Sequence, residues 1–346
     1  MALFLLAGFV GLGFLIYTYA AAQPASTDAP VAALSPFIEV HSHMGARDAD
    51  ASIEDALRAM PVENAAKIIF LPLPFTPGDP ARFDDEVLID AEKNRRDKFA
   101  FLGGGGTLNV MIQESMRSGN TGPEVQKKFR ERAEEIMRQG AAGFGEMTSE
   151  HFATSPTAYY EHAPADHPLF LILADISAEH GGAPIDLHME AVPQPILLPD
   201  EIKAFRNPPQ IPENISAFER LLDHNPRARI VWAHAGSDFS GYRTVELNRR
   251  LLKAHPNLFM EIKIDPLEPG KNSPLANGAS GPIRPEWRKL FEDFPDRFVI
   301  GTDQHYPQPE KGPQRWQAVV LLFNQLPADL RQKIGIDNPT RIYNLK

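Results

Sequence analysis

The chain has 346 residues and a formal charge of −10 at pH 7, from 35 basic and 45 acidic side chains. Hydrophobic residues make up 43% of the sequence and charged residues 23%, which is typical of a globular protein with a full core and excludes general disorder. The negative charge argues against a nucleic-acid-binding surface, and the absence of cysteine excludes disulfides, thiolate nucleophiles and cysteine-bound metals.

The first predicted element is an uncharged apolar segment over residues 2–19, followed by three alanines. Small residues before Gln23 are typical of a signal-peptidase site, although the basic start of a signal peptide is missing. We therefore predict that residues 1–22 are a signal peptide and that the protein is periplasmic or secreted. About 20 apolar residues can also span a bilayer, so the alternative is an inner-membrane tether through residues 2–22.

Beyond a proline-rich linker predicted over residues 23–36, short apolar runs alternate with amphipathic stretches. This alternation is typical of a parallel α/β fold. We predict one catalytic domain over residues 37–346 with the (β/α)₈ TIM-barrel fold, and a doubly wound open sheet is the alternative. The predicted strands are 37–43, 66–73, 99–105, 142–147, 183–188, 228–234, 257–264 and 297–303.

Amphipathic patterns predict helices after most of these strands. Three of the helices begin with a pattern that resembles a capping box, a hydroxyl residue followed three positions later by an acid: Ser52 with Asp55, Thr121 with Glu124, and Ser216 with Glu219. The predicted helices are 52–60, 121–138, 216–223, 242–254, 285–294 and 314–325. Two long irregular loops, 191–215 and 265–284, are predicted to be lids over a site, with solvated insertions as the alternative.

Ionisable side chains stand at the carboxyl ends of five predicted strands. His41 and His43 are two residues apart on the first strand, so both imidazoles face the same side. In a barrel these strand ends meet at one mouth, and imidazole and carboxylate groups are ligands for divalent metals. The pattern therefore predicts a metal site formed by His41, His43, Glu146, His188, His234 and Asp303.

This ordered set resembles the amidohydrolase superfamily of metal-dependent hydrolases. The pattern of that superfamily is His-x-His on strand one, Lys or Glu on strand four, His on strands five and six, and Asp on strand eight. The resemblance covers the region from about residue 37 to the end of the chain, and residues 338–345 are similar to the terminal helix of the amidohydrolase-related branch. It implies two metal sites that share one bridging carboxylate: His41, His43 and Asp303 at the first, His188 and His234 at the second, and Glu146 between them.

The resemblance also implies the chemistry. A metal-bound hydroxide would attack a small ester, lactone, amide or phosphoester, and Asp303 would take its proton and pass it to the leaving group. The implied cofactor is a divalent metal, one or two ions per chain, with Zn²⁺ first and Mn²⁺, Fe²⁺ or Co²⁺ as alternatives. The implied partner is a small-molecule substrate, whose identity the sequence leaves open together with the oligomeric state.

Two alternatives remain at this stage. In a mononuclear non-oxidative decarboxylase on the same fold, a single metal would have four ligands and His234 would be the acid/base: the ligands would be His41, His43, His188 and Asp303. Glu146 favours the binuclear hydrolase, unless it only orients a histidine. The alternative of another class is a non-catalytic periplasmic binding protein, which has no need of Asp303 beside a hydroxide.

Further side chains are predicted near the mouth. Lys263, at the end of the seventh strand, is predicted to bind a substrate carboxylate or phosphate, with a salt bridge to a nearby acid as the alternative. His305 and Tyr306 follow Asp303 and are predicted to line the mouth. The polar surroundings of His167 and His255 predict surface positions for both.

Expression of the full chain in a bacterial host with a periplasm tests the prediction for residues 1–22. Amino-terminal sequencing of the exported protein is expected to begin at Gln23, because peptidase cleavage after the three alanines leaves that residue first. An intact amino terminus in the membrane fraction would indicate the tether instead, and an intact terminus in the cytoplasm would contradict both.

Overall fold

The computed structural model describes residues 35–45, 49–93, 95–155, 158–198, 200–203, 205–235, 239–263, 275, 282–308 and 315–346. The predicted segment 1–22, most of the linker 23–36 and most of the loop 265–284 lie outside these residues. Among the helices described, none has the length and apolar character needed to cross a membrane.

Eight parallel strands close into a barrel within the described part of the chain. Each strand pairs with the next one in sequence, and the last strand returns to the first, where Glu39 lies opposite Ile300. This closure confirms the (β/α)₈ barrel and excludes the open sheet. The barrel strands are β1 (Phe37–Met44), β2 (Ala65–Leu71), β3 (Phe99–Gly104), β4 (Gly143–His151), β5 (Pro184–Met189), β6 (Arg229–Trp232), β7 (Leu258–Ile262) and β8 (Phe298–Ile300).

Helices surround the barrel. The helices are α1 (Ala49–Glu63), α2 (Asp85–Lys93), α3 (Leu108–Ser118), α4 (Pro123–Arg138), α5 (Pro168–Glu179), α6 (Asp200–Lys203), α7 (Ile215–His224), α8 (Val245–Ala254), α9 (Pro285–Asp293), α10 (Trp316–Phe323), α11 (Ala328–Gln332) and α12 (Asn338–Ile342). A π-helical segment, Lys333–Asp337, joins α11 to α12. Short strands outside the barrel are Glu161–His162, Ile196–Leu197, Gln210–Ile211 and Gln304–Tyr306.

Each predicted helix overlaps an observed one, and the start predicted at residue 285 is confirmed by α9, but the three helix starts predicted from capping boxes are wrong in detail. Helix α4 begins after Gly122 with Pro123 in its first turn, because proline presets the helical φ there and Thr121 makes no cap. Ser216 lies inside α7, whose cap position is Asn214. Ser52 lies inside α1, and its hydroxyl donates a 2.8 Å hydrogen bond to the Tyr306 carbonyl.

The loop predicted over residues 191–215 is more regular than expected. Ile196–Leu197 pairs antiparallel with Gln210–Ile211, and α6 lies between these two short strands. One isoleucine from each strand, Ile196 and Ile211, joins a small buried cluster with Phe152. The segment is therefore a folded flap on the carboxyl side of β5, with its own core.

Apolar side chains form one layer inside the barrel and another between the barrel and the helices. On β2, Ile68 and Phe70 belong to the outer cluster, whereas Ile69 and Leu71 belong to the inner one, as alternation along a strand requires. Tyr343, which follows α12, joins the inner cluster and is only 1% exposed. The carboxyl-terminal segment therefore packs against the interior of the barrel.

Just beyond β8, the barrel interior leaves no room for a side chain at Gly301. An added Cβ would lie 2.2 Å from Glu261 Oε1 and 2.6 Å from His41 Cβ. We expect Gly301→Ala to lower the free energy of unfolding by about 1–3 kcal/mol, the usual cost of overpacking a core. Urea unfolding followed by circular dichroism measures this change.

Gly45→Ala is the matched control, because the nearest atom to its added Cβ is the Tyr306 carbonyl oxygen at an ordinary 3.4 Å. We expect it to change the free energy of unfolding by less than about 1 kcal/mol. Equal stability of Gly301→Ala and the wild type would contradict the tight packing described here.

Candidate metal centre at the carboxyl end of the barrel

The structure brings the six predicted metal ligands together at the carboxyl end of the barrel. They come from five strands or from the residues directly after them, and all are buried or half-buried. Their donor atoms fall into overlapping groups within which every pair lies within 4.8 Å. One group consists of His41, His43 and Glu146. Another consists of Glu146, His188 and His234, so Glu146 belongs to both.

Glu146 lies between two pairs of histidines. Its Oε2 is 3.5 Å from His43 Nε2 and 3.7 Å from His41 Nε2. Its Oε1 is 2.8 Å from His188 Nδ1 and 3.5 Å from His234 Nε2. Each carboxylate oxygen therefore faces a different pair of imidazoles.

Asp303 faces the first of these pairs through Oδ1. This oxygen is 3.1 Å from His43 Nε2 and 4.0 Å from His41 Nε2. Asp303 therefore lies beside the two histidines of β1. Its other oxygen, Oδ2, faces away from these histidines and accepts hydrogen bonds from Lys263 and Arg315.

Buried acceptors orient three of the four imidazoles. His41 Nδ1 is 3.2 Å from Asp186 Oδ2, and His234 Nδ1 is 3.1 Å from Glu261 Oε2. His43 Nδ1 is 3.1 Å from the Leu71 carbonyl. An acceptor at Nδ1 fixes the tautomer that carries its proton there, so Nε2 of each ring is the nitrogen with a lone pair for a metal.

His188 has the opposite orientation. Its Nδ1 faces Glu146, and its Nε2 is 3.8 Å from Glu190 Oε1. Nδ1 is therefore the nitrogen that His188 offers to the centre.

The pKa shifts at the centre reflect strong electrostatic attraction between the histidines and the acids. Burial raises the pKa of Glu146, but His41, His188 and His234 together hold this pKa well below its usual range. Burial lowers the pKa of His41, but Asp186 and Glu146 raise it well above its usual range. The centre therefore stabilises positive charge despite its burial.

Two residues of the centre have left-handed backbones. His234 has φ of 65° and Asp303 has φ of 55°, a conformation that costs a residue other than glycine about 1–3 kcal/mol. The amide of His234 donates to Glu261, and the amide of Asp303 donates a 2.9 Å hydrogen bond to the His41 carbonyl. The surrounding hydrogen bonds hold both side chains towards the centre.

Arg243 contacts the backbone that leads into His234. It is 3% exposed, and its guanidinium lies 3.8 Å from the centroid of the Trp232 ring. It donates to the carbonyls of Trp232 and Ala233, which directly precede His234.

Lys263 contacts the centre through Asp303. Its Nζ donates a 2.6 Å hydrogen bond to Asp303 Oδ2, so the salt-bridge alternative for Lys263 is present in the structure. Arg315 Nη1 donates to the same oxygen at 2.7 Å and also to the Asp303 carbonyl.

The other predicted residues fall in different places. His305 lies at the mouth, half-exposed, with its ring 4.9 Å from that of His43. Tyr306 does not line the mouth, because it is 1% exposed and its hydroxyl is 3.3 Å from Glu63.

The surface positions predicted for His167 and His255 are also wrong, since the two side chains are buried, with 7% and 5% exposure. His167 caps α5, and His255 lies beside Glu219.

The donor set fits a divalent metal. Imidazole nitrogens and carboxylate oxygens are the ligands such ions take in proteins, and three of the rings carry the buried acceptor typical of metal-binding histidines. His41 Nε2 is buried and has no hydrogen-bond partner among the described residues. The His/Glu clusters can therefore hold a divalent metal ion.

The comparisons with known proteins identify the family. The family model for amidohydrolases matches residues 121–345, about two thirds of the chain. The chain belongs to the amidohydrolase family. It is a hydrolase of the amidohydrolase superfamily, whose members typically use a divalent metal. A search of the curated proteins gives no match.

Solved structures are similar to the amidohydrolase at low sequence identity. A probable 2-pyrone-4,6-dicarboxylic acid hydrolase from Acinetobacter baumannii, crystallised with citric acid, is 11% identical with a TM-score of 0.50, over 90% of this chain and 100% of that one. An Agrobacterium tumefaciens protein has 14% identity and a TM-score of 0.49, over 90% and 97%. Amidohydrolase 2 from Bifidobacterium longum subsp. infantis has 12% identity and a TM-score of 0.43, over 90% and 100%.

The sequence analysis missed the residues that support the ligands. Asp186 and Glu261 each lie two positions before a predicted site residue on the same strand, so the alternation that found the histidines also pointed to them. Glu190 follows His188 by two positions in the same way. Arg315 directly precedes α10 and has no pattern in the sequence that links it to Asp303.

The contact between Asp186 and His41 gives a testable expectation. Asp186→Asn replaces a charged acceptor with a weaker one and is expected to lower the affinity for Zn²⁺ by about 10–100-fold. Competition with a chromophoric chelator measures this affinity.

Asp175→Asn is the matched control, since Asp175 pairs with His224 at 3.1 Å on the surface. We expect wild-type affinity for this control variant. Wild-type affinity in Asp186→Asn as well would show that Asp186 does not tune a metal ligand.

Proposed function

We propose that this amidohydrolase is a binuclear metal-dependent hydrolase that cleaves a small ester, lactone, amide or phosphoester. The observation that carries the proposal is the position of Glu146, whose two oxygens face two separate pairs of histidines. One carboxylate between two ligand groups is the arrangement that a pair of cations about 3.5–4 Å apart requires.

The proposed ligands follow from the distances. The first group would bind one cation through His41 Nε2, His43 Nε2 and Asp303 Oδ1, and the second would bind another through His188 Nδ1 and His234 Nε2. Glu146 would complete both groups through its separate oxygens. Zinc is the proposed metal, with manganese, iron and cobalt as alternatives that the same donors accept.

Asp303 is the proposed proton carrier. Bound cations would supply Lewis acidity and a water acidic enough to react near neutral pH. Asp303 lies beside the first ligand group and is 16% exposed, so its carboxylate can meet both an attacking water and a leaving group at the mouth. It would take a proton from the water and deliver it to the leaving group.

Burial lets the protein control access to the reacting atoms. The side chains of His41 and His43 are 0% and 2% exposed, whereas that of His305 at the mouth is 50% exposed. A substrate would therefore enter past His305 and place its scissile bond against buried ligands, where little water competes. His305 and Lys263 are the proposed substrate contacts.

One contact favours a second candidate, the mononuclear decarboxylase. The 2.8 Å hydrogen bond between Glu146 Oε1 and His188 Nδ1 is what a carboxylate that only orients a histidine would make. In that enzyme His234 would be the acid/base, and Glu261 at its Nδ1 would hold the imidazole in place.

The number of metal ions separates the two candidates. Inductively coupled plasma mass spectrometry on protein purified without chelator is expected to find close to two metals per chain. Glu146→Gln is expected to lower this to about one or fewer, because the amide has a single weaker acceptor where the carboxylate has two charged oxygens.

Glu179→Gln is the control, since Glu179 forms an exposed ion pair with Arg130, and it is expected to keep the wild-type metal content. One metal per chain in both the wild type and Glu146→Gln would favour the mononuclear decarboxylase over the binuclear hydrolase. No metal, with none regained from added Zn²⁺ or Mn²⁺, would overturn both metal-dependent functions and favour the binding protein.

We also propose that the enzyme acts outside the cytoplasm. This proposal rests on the apolar segment 2–19 and the alanines that follow it, and amino-terminal sequencing decides it.

A further inference from the structure

Basic side chains concentrate at the amino end of the barrel, opposite the metal centre, in a chain whose formal charge is −10. The segments that lead into parallel strands all lie at this end. Lys98 and Arg297 directly precede β3 and β8, and Arg138 is the last residue of α4, which leads to β4. Six residues are called the basic face here: Lys98, Arg138, Arg227, Arg229, Arg297 and Arg341.

Three of these arginines lie close together. The guanidinium groups of Arg297 and Arg341 are 5.3 and 5.5 Å from the centroid of the Phe259 ring. Arg229 Nη1 donates hydrogen bonds to the carbonyls of Arg341 and Ile342 at 3.0 and 2.7 Å. Burial lowers the pKa of Arg229 and of Arg297, and the positive charge of Arg341 lowers both further. Carbonyl oxygens therefore hold this cluster in place without neutralising it.

Acids near the same end are paired with other cations. Glu92 is 3.2 Å from Arg96, and Asp296 is 2.5 Å from Lys333. None of the six residues of the basic face forms an ion pair with another described residue. The positive charge of this face therefore remains available to a partner.

The remaining charges at this end do not change its sign. Asp97 and Asp337 are exposed acids near the basic face and form no ion pair among the described residues. Arg95 and Lys346 are further cations in the same region and offset these two acids. The end opposite the mouth is thus positive, although the chain as a whole is negative.

The chain also enters the barrel at this end. Pro36 directly precedes β1, and the apolar segment 2–19 comes before it in the sequence. Val62, in the last turn of α1 and three positions before β2, is 64% exposed. An apolar side chain among basic ones is typical of a surface that lies on lipid headgroups.

We propose that the basic face docks the barrel on a membrane surface rich in anionic phospholipids. Guanidinium groups match the geometry of phosphate, and a negatively charged membrane surface attracts clustered lysine and arginine. The mouth lies at the other end of the barrel, so it faces away from the lipid and stays open to a small-molecule substrate. This docking is independent of the hydrolytic chemistry proposed above.

The two fates predicted for residues 1–22 give the basic face different effects. After cleavage, the face alone gives weak and reversible membrane binding. If the segment is retained as a tether, the face adds a second attachment and orients the barrel.

Cosedimentation with lipid vesicles tests the docking. The protein used begins at Gln23, because the closed barrel and both apolar layers lie within the described residues, which begin at residue 35. The vesicles contain phosphatidylcholine alone or an equal mixture with phosphatidylglycerol, which is anionic. At low salt we expect binding to the mixed vesicles and not to phosphatidylcholine alone. We expect this binding to be lost at about 1 M salt, where charges are screened beyond ~3 Å.

A triple variant removes part of the basic face without touching the barrel core. Lys98→Gln, Arg138→Gln and Arg227→Gln are combined, since these side chains are exposed and form no hydrogen bond with another described residue. We expect this variant to bind the mixed vesicles about 10–100-fold more weakly than the wild type.

The matched control removes the same charge from other parts of the surface. It combines Lys127→Gln and Lys128→Gln in the first half of α4 with Lys203→Gln on the flap, all of them exposed. We expect the control to bind the mixed vesicles like the wild type. Thermal unfolding followed by circular dichroism verifies that both triple variants keep the fold.

Four results would overturn the docking. The wild type could bind neither kind of vesicle, or it could bind both equally. Both triple variants could lose the same amount of binding, which would show dependence on net charge alone. Tighter binding of the wild type to a short DNA duplex than to the mixed vesicles would assign the face to nucleic acid. The metal content measured for the proposed function is independent of all four results.

Discussion

The carboxylate of Glu146 is the point on which the rest of the site depends. A buried carboxylate without partners is strongly unfavourable, and here the partners are histidines from three other strands. The rings of those histidines also pack against one another around Glu146, with the centroids of neighbouring rings about 5 Å apart. The carboxyl ends of the strands therefore meet as one electrostatic unit, in which acids and imidazoles stabilise each other.

A second layer of groups makes this unit specific. Asp186, Glu261 and the Leu71 carbonyl each take one nitrogen of a histidine ring and so determine which nitrogen faces the centre. Hydrogen bonds also hold His234 and Asp303 in left-handed conformations that neither residue adopts readily. The strain is local, and the packed barrel supplies the contacts that maintain it. This combination of orienting groups and strained ligands is typical of a functional site rather than of a structural one.

Much of the fold and the candidate site was readable from the sequence. The eight apolar runs match the barrel strands because a buried parallel strand has a near-continuous apolar pattern. His41 and His43 were found because strand residues two apart share a face. The three predicted helix caps are wrong: Ser52, Thr121 and Ser216 match a capping pattern, but Ser52 lies inside α1, α4 begins with a proline, and Ser216 lies inside α7. The buried positions of Tyr306, His167 and His255 likewise depend on what packs over them.

The sequence by itself determined the barrel and the identity of the six candidate ligands, because periodicity and strand ends are local properties of the chain. Only the tertiary structure decided how those ligands are arranged. It assigned one oxygen of Glu146 to each pair of histidines and attached Lys263 and Arg315 to the same oxygen of Asp303. Such contacts join residues from distant parts of the chain. They arise when barrel closure brings the strand ends together, a long-range event that no local pattern records.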